Sequence, residues 1–148
     1  MSDSEAPFES TSPGDPRLAP RSLRIIVADD DNDTVLSLML LLREEGHEVL
    51  GVRRSRDVLK AVTKFQPDVV MLDIAMPELS GWEVARQIRA ERLARPPLLI
   101  GISGEYKQAV DKILSNVVGF DHYLVKPYAS DQLLKLLEPL RLSPQRTD

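Results

Sequence analysis

Cysteine is absent from this chain of 148 residues, which excludes disulfides and thiolate metal sites and suits a reducing compartment, so the expected location is cytoplasmic. A surplus of positive charge is lacking too. The net charge is −4 and the pI near 5.2, whereas proteins that grip a phosphate backbone carry basic faces. No nucleic-acid partner is expected. Long hydrophobic runs are missing: the longest, Val35 to Leu42, is broken by Ser37 and is far too short to span a bilayer. No membrane association is expected. The start, Met1-Ser2-Asp3-Ser4-Glu5, has no apolar core and is not a secretory signal. What remains is ordinary: 43% hydrophobic and 28% charged residues fit one globular domain with a full core.

Residues 1–22 hold Pro7, Pro13, Pro16 and Pro20 among serines and acids, with almost nothing apolar to bury. This reads as a disordered arm or linker. Residues 142–148 read as a flexible tail, which leaves a domain over 23–141.

Inside that domain strand and helix patterns alternate. Leu23–Ala28 reads as a buried strand, and Val35, Leu38, Met39 and Leu42 keep helical spacing up to Gly46, a C-cap. Glu48–Val52 is a second strand, and Ser55 is placed to cap a helix bearing Val58, Leu59, Val62 and Phe65. Asp68–Leu72 is the third strand. Ser80 caps a helix whose Val84, Ala85, Ile88 and Leu93 face inward. Leu98–Ile102 is the fourth strand, followed by a helix with Val110, Ile113, Leu114 and Val117. Phe120–Val125 is the fifth, and Ser130 starts a last helix with Leu133, Leu134, Leu137 and Leu140. Five strands alternating with five helices across short loops demand a parallel sheet covered on both faces. Right-handed crossovers then favour a flavodoxin-like doubly wound (βα)5 fold with strand order 2-1-3-4-5.

In that order Asp29, Asp30 and Asp73, each directly after an apolar run, meet at the carboxyl edge of neighbouring strands. Lys126, followed by Pro127, ends the fifth strand at the same edge. Helix capping accounts for one carboxylate of the run Asp29-Asp30-Asp31-Asn32-Asp33, and Asp33 or Asn32 is expected to supply it. It does not account for Asp73 arriving from another strand. Two carboxylates about 4 Å apart repel by roughly 4 kcal/mol at an effective dielectric of about 20, so the cluster needs a counter-charge. A cation that prefers oxygen ligands, such as Mg²⁺, supplies one. An EF-hand loop starting at Asp29 would need Gly sixth and Glu twelfth, but Thr34 and Leu40 stand there. A Mg-dependent phosphohydrolase using Asp29 as nucleophile and Asp31 as general acid stays a minor alternative, since the chain has little room for the cap or further catalytic segments such an enzyme usually needs.

Five motifs, each at a strand end, resemble the receiver domain of two-component response regulators, the CheY-like family, over residues 23–141. They are Val27-Ala28-Asp29-Asp30-Asp31, Asp73-Ile74-Ala75-Met76-Pro77, Ser80-Gly81-Trp82-Glu83, Ile102-Ser103-Gly104 and Tyr123-Leu124-Val125-Lys126-Pro127. The resemblance implies that Asp73 accepts a phosphoryl group from a phosphohistidine of a sensor histidine kinase or histidine phosphotransfer protein. It implies that Asp29, Asp30, Asp73 and the Ala75 backbone carbonyl hold Mg²⁺, directly or through water, with Mn²⁺ as a substitute. Lys126, beside a cis bond to Pro127, would pair with Asp73 and then with a phosphoryl oxygen, and Ser103 would donate its hydroxyl. Tyr123 would change rotamer as a switch, although an aromatic in a strand often only packs. Trp82 is expected to pack at its helix start, near enough to Asp73 to report on it.

Two departures from the family pattern stand out. Ser103 replaces the commoner threonine, and Ala75 has no side chain to place a hydrolytic water, so dephosphorylation is expected to depend on Glu105. The expected protein is a switch, not an enzyme turning over a separate substrate. No output domain follows the fifth predicted helix, so the expected output is a protein contact on the helix 4–strand 5–helix 5 face. A free-standing regulator, a phosphorelay shuttle and a receiver cut from a hybrid kinase all fit, and Met1 with its acidic start favours a complete chain. The alternative of another class is an interaction module that kept the fold and lost the chemistry.

Overall fold

The computed structural model describes residues 20–104 and 119–142. The chain divides into a unit of residues 23–129 and a second made of 1–22 with 130–148. In the first, β1 (Arg24–Ala28), α1 (Asn32–Glu44), β2 (Glu48–Val52), a 3₁₀ turn (Ser55–Asp57), α2 (Val58–Phe65), β3 (Val69–Asp73), α3 (Gly81–Ala90), β4 (Leu98–Ser103) and β5 (His122–Val125) follow one another. All five strands are parallel, in the order β2-β1-β3-β4-β5. In the second unit the C-terminal helix Ser130–Arg141 buries Leu133 and Leu137, and the Arg21 N–H donates to the Arg141 carbonyl at 2.9 Å. The helix expected around residues 110–117 lies outside the described residues.

The central strands are apolar throughout because both sheet faces are covered. Ile26, Ala28, Val70, Leu72 and Leu99 form one core with Val58 and Val62 of α2 and Val84, Ala85 and Ile88 of α3. On the opposite face α1 packs so closely on β2 that a Cβ on Gly51 would lie 2.6 Å from Val35 and 2.9 Å from the Met39 sulfur. Truncating a fully buried side chain such as Ile26 or Leu72 to Ala would cost about 2–5 kcal/mol.

The caps decide where loops leave the sheet. Gly46, at φ 94°, ends α1, with its N–H on the Arg43 carbonyl at 2.9 Å and the His47 N–H on Leu42 at 3.1 Å. Ser80 caps α3 as expected, its hydroxyl accepting the Glu83 N–H at 3.3 Å. Two cap assignments change. Asp31, not Asn32 or Asp33, takes the N-cap position of α1, its carboxylate accepting the Thr34 hydroxyl at 2.6 Å. Ser55 does not cap α2: its hydroxyl is engaged by another loop. Leu93 lies beyond the end of α3 but still packs against the core.

Candidate functional site

Register places the charges. Ala28 pairs with Leu72 across β1 and β3, so Asp29 and Asp73 each stand one residue further, side by side at the carboxyl edge. Asp73 in turn pairs with Ile102, and Ser103 pairs with Val125, which sets Ser103 and Lys126 at the same edge. The ladder continues past the strand ends: the Asp29 N–H donates to the Val52 carbonyl at 3.1 Å, Ile74 to Ile102 at 2.9 Å, and Lys126 to Ser103 at 2.7 Å.

One carboxylate oxygen from each of Asp29, Asp30 and Asp73 lies within 4.8 Å of the other two. Asp29 and Asp73 are buried and Asp30 is exposed. Asp29 Oδ1 accepts the Asp31 N–H at 2.9 Å, and Asp73 Oδ1 accepts the Ala75 N–H at 3.0 Å. The Lys126 ammonium stands 3.4 Å from Asp29 Oδ2 and 3.8 Å from Asp73 Oδ2. The peptide bond from Lys126 to Pro127 is cis.

Among the described residues, three carboxylates therefore gather beside the Lys126 ammonium. Burial pushes the Asp29 carboxyl above its ordinary value; the Asp31 N–H pulls it down, the Asp73 charge raises it again, and Lys126 lowers it. Donors of this kind, hard oxygens carrying surplus negative charge around one point, fit a divalent cation such as Mg²⁺. The cluster could hold a metal ion.

A family model described as the response regulator receiver domain matches residues 25–138. This chain belongs to that family. As a receiver it is 33% identical over 116 residues to Protein PilH of Pseudomonas aeruginosa, covering 77% of this chain and 93% of PilH. It is 32% identical over 106 residues to the alkaline phosphatase synthesis transcriptional regulatory protein PhoP of Bacillus subtilis, covering 72% of this chain and 43% of PhoP. The receiver thus spans less than half of that relative, as it does of the transcriptional regulatory protein TcrA of Mycobacterium tuberculosis, at 46%. Among solved structures, a response regulator signal receiver domain from Bermanella marisrubri is 30% identical, with a TM-score of 0.72, over 81% of this chain and 98% of that one. Among the described residues of the receiver, no helix is long and apolar enough to cross a membrane.

The other residues singled out in the sequence fall around the cluster. Ser103 is buried, its hydroxyl donating to the Gly104 carbonyl at 3.1 Å. Tyr123 in β5 packs against the core, as does Trp82, whose ring meets Phe120 edge-on at 5.6 Å. Glu105 lies outside the described residues. Two features escaped the sequence reading. Tyr128, just beyond the cis bond, is half-buried; burial first, and then the Asp29 charge, raise its phenol above the ordinary value. The 3₁₀ turn after β2 reaches the loop after Asp73: Ser55 and Arg56 bond to Pro77, Leu79 and Glu78. No local pattern signals that contact.

Proposed function

We propose that this receiver accepts a phosphoryl group on Asp73 from the phosphohistidine of a sensor histidine kinase or a histidine phosphotransfer protein. A carboxylate oxygen of Asp73 forms the new bond to phosphorus as the bond to the histidine nitrogen breaks, and the freed imidazole remains on the partner. Transfer of this kind asks the protein for positioning and for charge around the equatorial oxygens. Lys126 holds Asp73 at rest and offers its ammonium to a phosphoryl oxygen afterwards, and Ser103 turns its hydroxyl from Gly104 toward another. Asp29, Asp30, Asp73 and the Ala75 carbonyl would hold Mg²⁺, with Mn²⁺ as a substitute; when bound, the cation offsets negative charge on the transferring group. The phosphorylated state then changes a protein-contact surface around Tyr123, in a cytoplasmic signalling chain, without turnover of a separate substrate.

One observation carries this reading: two buried carboxylates and an exposed one converge within 4.8 Å, with an ammonium 3.8 Å from the proposed acceptor. The test is incubation with a small phosphodonor, with and without Mg²⁺, followed by intact mass. A single phosphoryl adduct that needs Mg²⁺ and is lost in Asp73→Asn is expected. No adduct with any donor would favour a phosphorylation-independent module, and sustained release of phosphate would favour a hydrolase.

A further inference from the structure

The loop of residues 74–80 carries the Ala75 carbonyl, and its shape is held from outside as well as from within. At its base the Gly81 N–H donates to the Ile74 carbonyl at 2.9 Å, while Ile74 and Met76 are buried in the core. The Ala75 N–H is held by Asp73 Oδ1. Beyond Ala75 the loop meets the 3₁₀ turn from the other side of β1. Ser55 Oγ donates to the Pro77 carbonyl at 2.8 Å and accepts the Leu79 N–H at 3.0 Å. Arg56 forks onto Glu78, Nη2 to Oε2 at 2.7 Å and Nε to Oε1 at 3.1 Å. Glu78 itself adopts the left-handed backbone, φ 73°, that bulky residues seldom take.

These two contacts differ in weight. Ser55 is only 2% exposed, and its one hydroxyl bridges the Pro77 carbonyl and the Leu79 N–H, so removing it leaves the loop only its own bond between those two groups, at 3.0 Å. The Arg56–Glu78 pair is exposed at 58% and 42%, where solvent and salt weaken it. Ser55 touches none of the groups proposed to handle the phosphoryl group. It fixes the peptide two residues beyond Ala75, and Asp73 fixes the Ala75 peptide itself. We infer that Ser55 is a positioning residue, a strap from the β2–α2 connection that aims the Ala75 carbonyl at the cation site. This rests on the proposed role of that carbonyl. Loss of an outer group that orients a ligand atom commonly costs about 10–100-fold in metal affinity.

The full chain is tested by calorimetric Mg²⁺ titration and thermal unfolding. Ser55→Ala raises the Mg²⁺ Kd by roughly tenfold, Ser55→Thr keeps it near wild type, and Arg56→Ala moves it less than Ser55→Ala. Val62→Ala, a core truncation away from the site, lowers Tm and leaves Kd alone. A Ser55→Ala protein with lowered Tm and wild-type Kd overturns the inference, because a purely structural serine behaves like Val62. Should Ser55→Ala not fold, Ser55→Cys, a weaker donor of similar size, replaces it: a raised Kd supports the strap and an unchanged Kd overturns it. A wild type that binds no Mg²⁺ overturns the reading of the site and the strap together.

Discussion

The two edges of the sheet carry the same kinds of residue and treat them in opposite ways. At the amino edge each acid meets a donor. Asp68 Oδ2 accepts the Arg24 N–H at 2.9 Å, and Asp121 Oδ2 accepts both the Leu99 N–H and Arg89 Nη2 at 2.8 Å. Arg24 pairs with Glu48 at 2.9 Å and lies over the Phe65 ring at 4.1 Å, and Arg89 also reaches the Gly119 and Pro97 carbonyls. At the carboxyl edge Asp29 and Asp73 accept one N–H each from their own loops, and three carboxylates face Lys126 at the longer distances of 3.4 and 3.8 Å from two of them. Where the fold neutralises its charges they pin strands together. Where it leaves them in excess stands the site proposed to take a cation and a phosphoryl group.

The contrast breaks most sharply at Asp73. Asp73→Asn should lose the phosphoryl adduct altogether, as read by intact mass, while no substitution at the amino edge should do so. Lys126→Ala should slow adduct formation from a small donor by about 100-fold, the size expected for removing one preorganised charge from a transition state; an unchanged rate would move Lys126 to the structural side. Arg89→Ala should instead cost about 2 kcal/mol in urea unfolding, with the phosphorylation rate of the folded protein unaltered. The smallest effect should have the opposite sign. Asp29→Asn should raise Tm by a few degrees without divalent cation, since Asn keeps the acceptor for the Asp31 N–H and removes a charge that burial disfavours. The folded carboxyl lies above its unfolded value, so the penalty is full above the folded pKa and vanishes as pH falls toward the unfolded one. The gain in Tm should therefore be present at neutral pH and shrink in acid. Saturating Mg²⁺ should stabilise the wild type more than this variant.

The strands were legible because burial on both faces makes them continuous apolar runs, and β2 keeps its expected bounds, Glu48–Val52. The others are offset at their ends. Asp68 falls just before β3, although its N–H donates to the Arg24 carbonyl at 2.7 Å and its carboxylate accepts the Arg24 N–H, and Asp73 joins β3 through its pairing with Ile102. The acids and Lys126 were legible because each directly follows an apolar run, so strand order alone gathers them. Ser80 was legible as a cap because its partner, Glu83, is three residues away. Ser55 has the same side chain in a similar setting, yet its partners are 22 and 24 residues away, and nothing local separates the two cases. Tyr128 was missed for the same reason: its environment depends on Asp29, across the sheet.

Gly81 sets one further limit. A Cβ there would lie 2.7 Å from the Ile74 Cα and 2.9 Å from the Asp73 carbonyl oxygen, so α3 begins in backbone contact with the end of β3. Surface loops ordinarily tolerate added residues. The stretch from Asp73 to Gly81 cannot lengthen by even one without parting Gly81 from Ile74 or Ser55 from Pro77 and Leu79. The connection after α3 is held at Leu93, which packs against the core, and at the Pro97 carbonyl, which accepts from Arg89 Nη1 at 3.0 Å, but it is exposed at Glu91, Arg92, Ala94 and Pro96. The first segment is a molecular ruler whose residues can be exchanged but not added to, and insertions or grafted peptides belong in the second.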